Sequence, residues 1–135
     1  MNIKRYIDIA IRREIRRYAD DEFTKIKAQA ERCRKLAQEI ELSIDSENGG
    51  EDPRPHEQKL LNALEGVFRF ANTIKQSNSE GLIAQKKSYA NTISTVMNNL
   101  NRSIPSIKQT FPQYVQRSVT ILNIMKDIQT RISNL

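Results

Sequence analysis

The chain has little that would break a helix. Of its four glycines and four prolines, Gly49, Gly50, Pro53 and Pro55 fall in one short stretch. The rest of the sequence is therefore free to run helical, and an all-α fold is expected. A single cysteine, Cys33, excludes an internal disulfide. With no signal-peptide pattern, it points to a reducing, intracellular and cytoplasmic setting. No apolar run approaches the ~20 residues needed to cross a bilayer, so no transmembrane segment is expected and the protein should be soluble. One histidine beside one cysteine is too few ligands for a zinc site. Paired carboxylates, a phosphate-binding glycine loop and a serine elbow are all missing. No catalytic residue, metal or cofactor is expected, and an enzyme is disfavoured.

At 135 residues the chain has the length of one domain, enough for a modest core. Its 38% hydrophobic content is below the usual ~45–50%, which suits thin, elongated helical packing. Disorder is excluded because the apolar residues are periodic and rich in Ile and Leu.

The charge of +6 makes polyanions natural partners, and it is unevenly placed. Residues 1 to 17 hold six Lys/Arg against two Asp/Glu, a local +4. Residues 43 to 56 carry a net −3, and residues 57 to 135 a net +6.

Residues 2 to 42 contain neither Gly nor Pro and read as one long amphipathic helix. Its stripe is Ile3, Ile7, Ile11, Ile15, Ala19, Phe23, Ile26, Ala30, Cys33, Ala37 and Ile40, always three or four apart. Beyond Phe23 the spacing alternates between three and four, as in coiled coils and left-handed bundles. Arg16 with Asp20 and Arg17 with Asp21 are i,i+4 pairs across an acidic cluster where the helix either continues or bends; the in-phase stripe favours continuity. Residues 43 to 55 read as an acidic loop. A helical run over 56–102 follows, either unbroken or interrupted at 77–80, where Ser77 and Glu80 match a capping box. A last helix is expected over 104–134, with Ser103 as a plausible cap and a kink or short first turn at Pro112. The fold class is an elongated antiparallel bundle of three to four helices with a long N-terminal helix, in a single domain.

The first helix outreaches its expected partners, so part of its stripe should stay unpaired. Ile3, Ile7, Ile11, Ile15 and Tyr18 are the candidate protein interface. Beside them Arg5, Arg12, Arg13, Arg16 and Arg17 form a basic face suited to bidentate phosphate contact. Lys86, Lys87 and Arg102 are further candidates for nucleic-acid binding, with Lys108 and Arg117 adding to the field. Ser88, Asn91, Thr92, Ser94, Thr95, Asn98, Asn99 and Asn101 crowd another helix with poor helix formers, a composition that suits a packed contact. Cys33 reads as a small core residue, and His56 as an exposed or capping residue at a helix start.

The expected function is that of a non-enzymatic basic helical subunit of a larger assembly, contacting a DNA or RNA backbone without base readout. No helix-turn-helix, zinc-finger or RNA-recognition signature is present. The alternative is a protein-interaction or oligomerisation module, a homo-oligomer included, that uses the exposed stripe. Membrane-surface binding by the basic N-terminal segment is a third reading, weakened by Asp8 and Glu14.

Overall fold

A computed structural model describes residues 3–108 and 111–135. Asn2, the expected start of the first helix, lies outside them, as do Gln109 and Thr110. The described chain is all-helical, with no strand, and has five helices where three to four are expected: α1 (Ile3–Asn48), α2 (Pro55–Gln76), α3 (Ser79–Ala84), α4 (Lys86–Ile107) and α5 (Pro112–Ser133). The four long helices form a ring in the order α1, α2, α4, α5, each packed on its two neighbours, while the short α3 touches α1 and α4. Cross-links fix the direction of travel. Arg117 pairs with Glu39 and Arg131 with Glu22, so α5 runs antiparallel to α1.

The helix ends differ from the sequence expectation in ways that local chemistry explains. α1 continues six residues past Leu42 because Ile44, fully buried, is the next member of the core stripe after Ile40. The Ser43 hydroxyl donates to the Glu39 carbonyl and the Asn48 amide to that of Ile44, which ties the polar segment to the helix. The connecting loop is therefore only 49–54. Gly49 (φ 57°) and Gly50 (φ 88°) turn the chain there, in a region that residues with a Cβ rarely adopt.

α2 starts at Pro55, a good first-turn residue. Buried Glu57 accepts from the Arg54 backbone N–H at 3.0 Å and from the Asn48 side chain at 3.4 Å. His56 is neither a cap nor fully exposed. It is half-buried and stacks on Phe111 with ring centroids 5.7 Å apart, and the Arg54 guanidinium lies over the same ring at 5.6 Å.

The break after α2 is real, but its cap is Asn78, not Ser77: the Asn78 side chain accepts from the Gly81 N–H at 2.7 Å. A second interruption, at Gln85, separates α3 from α4. α4 then runs through Pro105 to Ile107. The proline removes a single ladder bond near the helix end, where the freed Asn101 carbonyl belongs to an exposed residue that water can reach. Ser103 is thus no cap. It is buried inside α4, donating to the Leu100 carbonyl at 2.6 Å. The last helix begins at Pro112 rather than at residue 104, and Ile107 belongs to α4.

The core follows the expected stripe on α1 from Ile26 to Ile40, adds Ile44, and on α2 runs from Leu60 to Ile74. Phe70 and Ser118 are buried, while Phe68 is half-buried and Val119 exposed. Gly66 faces Val96 across the α2–α4 contact, and a Cβ there would sit 3.4 Å from Val96 Cγ2, an ordinary contact. Gly66→Ala should therefore raise stability by about 0.5–1 kcal/mol through helix propensity, read as an increase in urea midpoint at unchanged m-value. A fall in midpoint would mean that the two helices cannot accept a methyl group.

Candidate functional site

Burial divides α1 in two. From Ala19 onward its stripe lies in the bundle, whereas of Ile3 to Tyr18 every residue is exposed. These sixteen residues extend roughly 24 Å along the helix axis from the packed part of the stripe at 1.5 Å per residue, with Arg12, Ile15 and Arg16 bordering α3 across a hollow. The projection needs no separate nucleation, because it propagates from a helix already held by packing. No new helix starts at the acidic cluster: α1 is continuous through Asp20, Asp21 and Glu22. The expected pairs Arg16–Asp20 and Arg17–Asp21 do not form. Asp20 instead accepts from the Ser79 hydroxyl at 2.6 Å. Glu22 takes Arg131 at 2.9 Å and Lys25 at 3.4 Å, and its carboxyl is held below the usual range chiefly by the Arg131 hydrogen bond. Asp127 is likewise lowered, first by Gln29 and then by Arg131. Acidic groups near the exit point are thus used to fasten α1 to its neighbours, and the arginines beyond them have no partner among the described residues.

At ~100° per residue, Arg5, Arg12 and Arg16 fall within about 40° of one another, with Arg13 and Arg17 continuing around the outer side. No side-chain hydrogen bond or ion pair to a described residue engages any of these five guanidinium groups. On the opposite side Ile3, Ile7, Ile11 and Tyr18 form a ridge about 80° wide. Ile15 turns from that ridge toward the line of the buried core. The division is not clean: Ile9 and Tyr6 lie among the arginines, Glu14 lies within the ridge and Lys4 falls between Ile11 and Ile15. Tyr6, 61% exposed, was not among the expected interface residues. Ile83 is exposed and lines a hollow with Arg12, Ile15, Arg16, Ala19, Ser79 and Glu80. Only the tertiary contact of α3 with α1 brings it there.

The other candidate bases are divided between the two ends of the bundle. Lys86 and Lys87 open α4 directly after α3, at the end from which α1 projects. Arg102 lies about 24 Å further along α4, beside Lys59, Asn62, Ala63 and Asn99. Arg117 is engaged with Glu39 at 3.7 Å. The uncharged polar surface of α4 is partly consumed internally. Thr92 and Thr95 donate to carbonyls one turn back, and Ser94 accepts from Gln129 at 2.8 Å. Asn91, Thr92, Thr95 and Asn99 line a shallow groove of about 480 Å³ against Gly66, Arg69, Phe70 and Thr73.

No group of three or more His, Cys, Asp or Glu that would hold a metal occurs among the described residues, and no described helix is long and apolar enough to cross a membrane. Cys33 is fully buried beside the Ile121 carbonyl, and burial pushes its thiol up to about 12. The thiolate is the reactive form, so at mildly alkaline pH the native protein should resist thiol-directed reagents and label rapidly only in denaturant. Fast labelling of the folded protein would show that the α1–α5 seam opens readily. Comparison with protein-family models, curated proteins and solved structures returns no match.

Proposed function

We propose that this protein is a non-enzymatic helical subunit of a larger assembly, and that its projecting N-terminal half-helix contacts a DNA or RNA backbone without reading bases. The supporting observation is that Arg5, Arg12, Arg13, Arg16 and Arg17 line one side of a helix segment exposed along its whole length, with no partner among the described residues for their guanidinium groups. Arginine forks match phosphate oxygens bidentately. A rigid helix holding five of them loses less backbone freedom on binding than a flexible basic tail would. Lys86 and Lys87 reinforce the same end, whereas Arg102 adds only to the distant field. The proposal places the protein in a reducing intracellular setting, which suits its free buried thiol.

Anisotropy titrations of labelled duplex and single strands over a range of salt concentrations test this. Four to five phosphate contacts give a log–log slope of about −4 on duplex DNA, with little dependence on base sequence. Absence of binding at low salt, or affinity indifferent to salt, removes the proposal.

The second reading, a protein-interaction or oligomerisation module, is favoured by a separate observation: Ile3, Ile7, Ile11, Ile15 and Tyr18 are all at least half-exposed on the same half-helix. A phosphate backbone offers these side chains nothing apolar to pack on.

A further inference from the structure

We infer that the isoleucine ridge of the half-helix pairs with the same ridge of a second copy of this chain, and that the pairing is held off by the arginines until their charge is neutralised. The pairing stands on the ridge alone; its coupling to a polyanion rests on the nucleic-acid reading above.

The ridge has the pattern for helix-on-helix packing. Ile3, Ile7, Ile11 and Ile15 are four apart throughout, so they make an i±4 row rather than the alternating row of a coiled coil. Two such rows interdigitate at an interaxial angle of about −50°. A steep crossing centred on Ile7 and Ile11 gives a short contact, which fits a half-helix of four to five turns. It also directs the two bundles away from each other. A two-fold axis through the crossing makes the contact self-complementary, as closed dimers require.

Area and charge together make this contact conditional. Ile3, Ile7, Ile11, Ile15 and Tyr18 are between 50% and 73% exposed. Covering all five would remove roughly 500 Å² per copy if each large side chain presents on the order of 150–250 Å². The pair then buries roughly 1,000 Å² at most, about the minimum for a specific interface. Against this gain stand two segments of +4 each, residues 1 to 17 of both copies, brought within a Debye length of one another. The arginines lie on the side of the helix away from the ridge, so a crossed pair leaves both arginine faces open. A polyanion bound there removes the repulsion without competing for the ridge. Binding and pairing should therefore strengthen each other.

Salt replaces the polyanion in the decisive experiment. Sedimentation velocity of the full chain should show monomer at low ionic strength. At about 1 M salt, where the Debye length shrinks to ~3 Å, the dimer dissociation constant should fall by about tenfold or more. The double variant Ile7→Asp/Ile11→Asp should stay monomeric at both salts while keeping the melting temperature of the parent, since neither side chain belongs to the core. As a second readout, Ile11→Cys should form a crosslinked dimer under mild oxidation at high salt, which buried Cys33 cannot supply. A parent that is monomeric at every salt overturns the pairing, as does a dimer that survives the double variant. A salt-induced dimer sensitive to the variant, in a protein that binds neither DNA nor RNA, keeps the pairing and removes the nucleic-acid reading and its coupling.

Discussion

Ile26→Ala should cost about 2–5 kcal/mol of folding stability, while the same change at Ile11 should cost less than about 0.5 kcal/mol. Both residues belong to one apolar stripe on one unbroken helix, and only the excess length of that helix marks Ile11 as unpaired. The structure separates them: Ile26 is 0% exposed and packed in the core, whereas Ile11 is 51% exposed on the projection. Removing three heavy atoms from a close-packed site loses their transfer energy and leaves a cavity that surrounding side chains fill only in part. On the projection the same atoms face water in both states. Alanine's higher helix propensity there offsets what little contact is lost. Urea unfolding of the two variants beside the parent checks this. A cost above about 1 kcal/mol at Ile11 would mean that the half-helix is folded back onto the bundle or already paired in solution.

That contrast also marks how far the sequence could be read. The all-helical class, the continuity of α1 across its acidic cluster and the excess length of that helix were legible because each rests on local periodicity, which a packed core preserves. The terminus at Asn48 was not. Acidic residues and the glycine pair made Ser43 to Asn48 look like loop, and only the buried Ile44 shows that tertiary packing carries the helix on. Proline was overweighted at residue 105, correctly weighted at 55, and underweighted at 112, where it opens the last helix instead of lying inside it. The difference is that one lost ladder bond near a helix end is cheap when the freed carbonyl is open to water. The stacking of His56 on Phe111 depends on two residues 55 positions apart and left no local trace.

In the candidate site, the arginine face and the isoleucine ridge could be located by helical phase, since both lie on one element. The absence of intramolecular partners for those arginines could not. Sequence places Asp20 and Asp21 one turn from Arg16 and Arg17, and the pairs look available. The fold directs Asp20 to Ser79 instead, and α5 captures Glu22 through Arg131. Nor could sequence show that Lys86 and Lys87 end up near the projection and Arg102 at the far end of the same helix.

Changing Arg12, Arg13, Arg16 and Arg17 together to Glu should weaken DNA or RNA binding by at least about 10²-fold at low salt and flatten the log–log salt slope by about 3.6, the equivalent of four lost phosphate contacts at ~0.9 each. The variant turns residues 1 to 17 from +4 to −4, so former contacts become repulsive. Folding should be unaffected: all four side chains are exposed and unpaired in the structure, Glu is as good a helix former as Arg, and acidic groups in an N-terminal segment are not opposed by the helix dipole. The protein's net charge falls from +6 to −2, and a weaker long-range field by itself also lowers binding. Reversal of four other exposed bases, Lys59, Arg102, Lys108 and Lys126, produces the same net charge and separates the two causes. If the half-helix is the contact, this second variant slows association but retains most of the parent's slope, because its phosphate contacts are intact. Equal slopes in both variants would assign the binding to diffuse charge and remove the N-terminal half-helix from the proposal.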